Sequence, residues 1–185
     1  MSNITKEQEE LIEKLSTDLA NNIMDTIKTL QFTLDLTERY YETSHSRYVG
    51  QMSGKVASLL GLNDEEVFQI RVAGLLHDIG KIGFRDTALF KTMPEMNLRE
   101  SKQYKLHVDI GREMLSYHKQ LRNIGDIIYE HHENFDGSGF PEKKSRNKIM
   151  LGARIISVVD FYHNSMHKSF KLENFSDVAQ KANAT

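Results

Sequence analysis

Cysteine and tryptophan are absent from this 185-residue chain, and only two prolines, Pro94 and Pro141, occur in it. Without cysteine there is no disulfide, no thiolate zinc site and no cysteine nucleophile, so any metal chemistry must use histidine and carboxylate. The same lack suits a reducing cytoplasm, which is the expected location. Long apolar runs are missing too. No stretch approaches the roughly 18 uninterrupted apolar residues of a transmembrane helix, and residues 1–30 lack the basic start and apolar run of a signal peptide. The expectation is a soluble protein with no membrane partner. Neither sign of charge dominates, with 24 basic against 26 acidic residues and an isoelectric point near 6.4. A chain with no broad basic field is a poor fit to duplex nucleic acid, and any anionic ligand must be held locally.

What is present is helical periodicity. Apolar residues recur at steps of three and four, which predicts an all-α fold with one core. Leu11, Leu15, Leu19, Ile23, Ile27, Leu30 and Leu34 form one stripe along a helix from about Thr5 to Leu36, and a stripe of this kind serves packing or a dimer seam rather than ligand chemistry. Residues 1–36 are therefore read as an N-terminal helix for packing or dimerisation, and residues 37–185 as one compact unit. A second helix places His45, Val49, Met52, Val56 and Leu59 on one face and ends near Gly61, with Asn63 or Asp64 capping the next. The segment 65–79 turns apolar through Val72, Ala73, Leu75 and Leu76 just before His77 and Asp78. Residues 83–97 read as a loop, residues 98–117 as a single helix carrying His107, and residues 124–132 as a short helix ending in His131 and His132. Residues 133–148 look like an ordered loop, and residues 149–166 form a last helix that carries Asp160 within an apolar run.

Singly, each polar residue on these faces has a plain structural explanation. A lone His45 or His107 is more often a hydrogen-bonded core histidine than a ligand, and a lone Asp160 can be a salt-bridge partner. Their number changes the reading. His45, His77, Asp78, His107, His131, His132 and Asp160 all lie on or at the ends of apolar faces, where an unpaired polar group costs about 1–3 kcal/mol to bury. One shared metal site satisfies them together. Imidazole and carboxylate suit iron, manganese or zinc, and a carboxylate such as Asp78 can bridge two ions. His131 and His132, about 100° apart if helical, are expected to serve two neighbouring ions rather than one.

The run His77-Asp78-Ile79-Gly80-Lys81-Ile82-Gly83 closely matches the signature of HD-domain phosphohydrolases. The run His131-His132-Glu133-Asn134-Phe135-Asp136-Gly137-Ser138-Gly139-Phe140-Pro141 resembles the extended HD-GYP signature, with Gly-Phe-Pro in place of Gly-Tyr-Pro. The resemblance spans about Tyr41 to Phe170 and includes His107 with Ile110-Gly111, and Ala153-Arg154-Ile155 leading to Asp160. It implies an HD-domain helical bundle with an additional N-terminal helix. It also implies a metal shell of His45, His77, Asp78, His107, His131, His132 and Asp160, and two divalent ions, iron or manganese. Lys81 is placed near the scissile phosphate. Glu133, Asp136, Gly137, Gly139, Phe140 and Pro141 shape the loop or support the ligands, with the two glycines permitting tight turning.

The implied activity is hydrolysis of cyclic di-GMP by a metal-bridging hydroxide, giving linear pGpG and, after a second cut, GMP, with Asp78 and Lys81 as the catalytic groups. Two alternatives stand beside it: a cyclic-dinucleotide sensor or protein-interaction module that keeps the metal site for structure, and an HD phosphohydrolase for another nucleotide. A homodimer or a signalling protein is the expected macromolecular partner. Three departures from the family pattern matter. Phe140 keeps an aromatic ring and loses a hydroxyl. Lys168 and Lys171 stand where the family has a phosphate-binding arginine, so substrate contacts would lose bidentate geometry. Tyr41 lies one turn before His45, with Glu42 out of register, which argues against a third metal.

Overall fold

The computed structural model describes residues 4–37, 45–84 and 95–166. Seven α-helices lie among them: α1 Lys6–Thr37, α2 His45–Leu59, α3 Asp64–Leu76, α4 Leu98–Lys105, α5 His107–Ser116, α6 Arg122–Tyr129 and α7 Leu151–Met166. Short 3-10 turns occupy Ile79–Lys81, Lys119–Leu121 and Arg146–Lys148. The described residues contain no strand, so the expected all-α class is the observed one. No helix among them is long and apolar enough to cross a membrane.

Local chemistry sets the boundaries. Asn63, rather than Asp64, caps α3: its side chain accepts the Glu66 N–H while the Glu66 carboxylate accepts the Asn63 N–H, so two orphan helix-end donors are satisfied reciprocally. Asn97 and Glu100 repeat the device at α4. After α2 the chain reverses through Gly61 at φ +77°. Helices α2 and α3 then pack at a glycine contact, where a Cβ on Gly74 would lie 2.8 Å from the Gly50 Cα. That close approach sets the start of α2 beside the end of α3. Helix α7 covers α2, α5 packs on α6, and Val49, Leu76, Ile79, Leu115, Ile124, Ile128 and Ile156 fill the space between them.

Five expectations need correction. The apolar stripe of α1 is divided: Ile27 and Leu34 are buried and α1 touches α3, while Leu11, Leu15 and Leu19 remain about half exposed. Leu59 does not share the buried face of α2 and is 88% exposed. The helix expected over 98–117 is broken at Leu106, where the Leu106 N–H closes a tighter bond to Gln103 and the Tyr104 carbonyl accepts His107 Nδ1–H at 2.6 Å. The helix expected through His132 stops at Tyr129, and Glu130, His131 and His132 follow in a turn. Around Asp160 the apolar run also splits, because Ile156 and Val159 are buried whereas Val158 and Phe161 face outward.

Candidate metal centre

Each side chain at the centre sits where a helix begins or ends, or one turn from its buried face. His45 opens α2, His77 and Asp78 follow α3, His107 opens α5, and His131 and His132 follow α6. Asp160 lies on α7, with His163 three residues later on the same face. Gly80 makes the convergence possible. A Cβ there would stand 1.9 Å from the His107 carbonyl oxygen and 2.8 Å from the Gly111 nitrogen, so the turn holding Asp78 lies directly against the first turn of α5.

The ligand atoms fall into two groups that share one residue. Asp78, His107, His131 and His132 present atoms within 4.8 Å of one another, and so do His45, His77 and Asp78. Asp160 joins the second group, its Oδ1 lying 3.0 Å from His45 Nε2 and 3.7 Å from His77 Nε2. The two oxygens of Asp78 divide between the groups: Oδ1 is 3.5 Å from His107 Nε2, and Oδ2 is 3.5 Å from His77 Nε2. All seven residues expected to bind metal therefore meet in one place. The expectation for the paired histidines was wrong in one respect. Because they sit in a turn and not in a helix, the rings of His131 and His132 are tilted side by side, 3.9 Å between centroids, and both belong to the group around His107.

Backbone carbonyls orient the imidazoles. His77 Nδ1 donates to Gly74 at 2.9 Å, His107 Nδ1 to Tyr104 at 2.6 Å, and His131 Nδ1 to Ile128 at 2.6 Å, in each case three residues back. Fixing the proton on Nδ1 leaves Nε2 with a bare lone pair aimed inward. Nε2 of His107, His131 and His132 and Oδ1 of Asp78 are buried with no hydrogen-bond partner. Orphaned acceptors packed this closely are unfavourable unless a cation sits among them, so the donor set fits a divalent metal. Burial lowers the basicity of His131 to a pKa of about 4 and of His107 to about 3, and pushes His132 well below its usual value. These rings are consequently neutral at pH 7, the form that binds metal. Burial pushes the Asp78 pKa upward, but Lys81 and the surrounding histidines outweigh it and hold the carboxyl well below its usual range. At Asp160 burial is likewise outweighed, chiefly by the His45 hydrogen bond, and the pKa falls to about 2.

The extended signature forms a collar around this cluster. Phe140 stacks on His132 with 4.7 Å between centroids. Glu133 is buried and its Oε1 accepts the Glu142 N–H at 2.6 Å. Asp136 is exposed and closes a turn by accepting both the N–H and the hydroxyl of Ser138. Gly137 has φ +83°, and a Cβ on Gly139 would fall 2.3 Å from the Asn134 nitrogen. Pro141 follows Phe140. Lys81 places Nζ 2.6 Å from Asp78 Oδ2. Lys168, Lys171, Tyr41 and Glu42 lie outside the described residues.

Three residues at the site escaped the sequence reading. His163 Nδ1 is 2.9 Å from His45 Nδ1, and its three-residue spacing from Asp160 was the available signal. Glu130 is buried and accepts from Lys144 Nζ and from the Met150 N–H, both at 2.7 Å, tying the histidine turn to the start of α7. Tyr104 lies 5.0 Å from His107 and 6.0 Å from His132, centroid to centroid.

A family model described as HD domain matches residues 10–179. The chain is 39% identical over 132 residues to the cyclic di-GMP phosphodiesterase response regulator RpfG of Xanthomonas campestris, covering 66% of this chain and 34% of that protein. It is 31% identical over 160 residues to a cyclic di-GMP phosphodiesterase of Thermotoga maritima, covering 82% and 42% respectively. Identity to the 3'3'-cGAMP-specific phosphodiesterase 2 of Vibrio cholerae is 30% over 150 residues, covering 78% and 28%. The chain thus spans less than half the length of these relatives. Among solved structures, a HDG"Y"P protein from Bdellovibrio bacteriovorus superposes with a TM-score of 0.56 over 63% of this chain and 38% of that one, at 22% identity, which is a likeness of fold.

Proposed function

Because the chain belongs to the HD-domain family, we propose that it is a metal-dependent phosphodiesterase that opens cyclic di-GMP to linear pGpG and, by a second cut, to GMP. The observation that carries this reading is the division of the two Asp78 oxygens between two histidine groups, in one of which the Nε2 atoms of His107, His131 and His132 are buried with no hydrogen-bond partner. His45, His77, Asp78 and Asp160 would hold one ion, and Asp78, His107, His131 and His132 the other, with iron or manganese the best match to nitrogen and oxygen donors. Bound there, the ions supply Lewis acidity toward phosphoryl oxygens and make water a competent nucleophile at neutral pH.

The protein's own groups do the rest. The Lys81 ammonium, held by Asp78 and 4.8 Å from the Tyr104 ring centroid, stands beside the cluster where negative charge develops on a phosphoryl group. Phe140 shields one face of His132 from water. No side chain is needed as nucleophile, and the Ser138 hydroxyl is committed to Asp136. Among the relatives, the proteins of Xanthomonas and Thermotoga are named for cyclic di-GMP and that of Vibrio for 3'3'-cGAMP, so both dinucleotides belong in the test. Protein purified without oxygen and loaded with manganese or iron is expected to convert cyclic di-GMP to pGpG, followed by chromatography. Absence of hydrolysis of either dinucleotide by fully metal-loaded protein would remove the proposal.

Lys81→Ala is expected to retain its metal and lose about a hundredfold in kcat, because an ammonium that stabilises developing charge coordinates no cation. Metal analysis beside steady-state rates checks both halves, and an unchanged kcat would make Lys81 a bystander.

His163→Leu is expected to act through His45. Losing the Nδ1 contact frees the His45 ring to rotate, and metal affinity in the half made by His45, His77 and Asp160 should fall by about tenfold or more. Chelator titration followed by elemental analysis should then show one ion released well before the other. Wild-type retention of both would limit His163 to packing.

A further inference from the structure

We propose that Tyr104 is a phosphate-binding residue of the centre, its phenolic hydroxyl supplying a hydrogen-bond donor at the site whose Gly-Phe-Pro loop lacks one. The inference rests on the reading of the centre as a phosphoryl site, but not on which dinucleotide is bound.

Three observations place the ring. Its centroid lies 4.8 Å from Lys81 Nζ, 5.0 Å from the His107 ring and 6.0 Å from the His132 ring, so it bridges a cationic side chain assigned to the phosphate and two of the histidines. The break at Leu106 locks it there, because the Tyr104 carbonyl is the acceptor that orients His107. Tyr104 is half-buried, whereas His107 beside it is fully buried. Burial raises the pKa of its hydroxyl above the usual value, so the phenol is neutral at pH 7. Phe140 lies on the same His132 ring and offers only carbon.

A residue needed only to fill this gap could be apolar, as Phe140 is. A neutral phenol next to an ammonium has the complementary property: its oxygen accepts from Lys81 while its proton is free to point at a phosphoryl oxygen. A donor to an anionic oxygen in a dry site strengthens binding more than an ordinary surface hydrogen bond does. The role is binding and orientation, with no proton transferred.

The test is calorimetric titration of inorganic phosphate into manganese-loaded wild type and Tyr104→Phe, with metal content measured on both. The variant keeps the ring and its ring contacts with Lys81 and His107 and removes the hydroxyl, together with the bond it accepts from Lys81. The expected result is phosphate binding about tenfold weaker in the variant at equal metal content, with KM for the hydrolysed dinucleotide raised and the metal titration unchanged. Equal phosphate affinity in the two proteins would overturn the assignment, as would metal loss in Tyr104→Phe, which would make the residue a support for His107. A metal-loaded wild type that binds no phosphate would overturn it too. A wild type that binds phosphate through Tyr104 yet hydrolyses no cyclic dinucleotide would leave this assignment standing and remove the substrate reading.

Discussion

Asp78→Ala is expected to strip metal from both halves of the centre and abolish measurable turnover, whereas His132→Ala should weaken only the half built around His107. The difference follows from geometry. Asp78 is common to the two ligand groups, with Oδ1 facing His107 and Oδ2 facing His77, while His132 belongs to one. Removing the carboxylate leaves five histidines, Asp160 on the His45 side alone, and a Lys81 ammonium that has lost its 2.6 Å partner inside the site, so cationic charge replaces the shared anionic charge where a cation must bind. The helices do not depend on Asp78, which lies in a turn after α3, and far-ultraviolet circular dichroism should stay helical. Metal that binds only the folded state raises the melting temperature. That rise should be present in wild type, reduced in His132→Ala and gone in Asp78→Ala. Two ions per chain in Asp78→Ala, by elemental analysis, would contradict the bridging assignment.

Gly80→Ala should cost more stability than any other single methyl added near the centre. The new Cβ would meet the His107 carbonyl oxygen at 1.9 Å and the Gly111 nitrogen at 2.8 Å, and both are backbone atoms of α5 that no rotamer change can move. Overpacking a core typically costs about 1–3 kcal/mol, and a clash against a helix backbone lies at the upper end or beyond it. For a chain of this size each kcal/mol lowers the melting temperature by roughly 2–4 °C, which predicts a fall of about 6 °C or more for the metal-free protein. The strain can be relieved only by moving the Asp78 turn away from His107, so metal affinity should drop along with stability. Thermal melts with and without manganese check both effects. A metal-free melting temperature within about 2 °C of wild type would show that the turn and α5 are not in the contact described. The glycine of the His-Asp-Ile-Gly-Lys run thus has a steric reason: it lets two ligand-bearing segments touch through their backbones.

Fold class, donor chemistry and the position of the donors at the ends of apolar helical faces were legible in the amino-acid order alone. Those properties are local: a helix shows its buried face through period, and a cysteine-free chain that buries histidine and aspartate there has few ways to satisfy them. Tertiary structure decided everything that depends on which faces meet. It divided the α1 stripe, burying Ile27 and Leu34 and leaving Leu11 and Leu15 exposed, although both halves keep a helical spacing of three or four residues. It ended α6 at Tyr129, so that His131 and His132 lie side by side in one candidate group. It set His163 behind His45 across 118 residues of chain, placed Tyr104 against His107 and tied Glu130 to Lys144 and Met150. Periodicity records that a face is buried and not what buries it; the partners come from helix packing, and here that packing turns on backbone contacts at Gly50, Gly74 and Gly80, where what matters is the absence of a side chain.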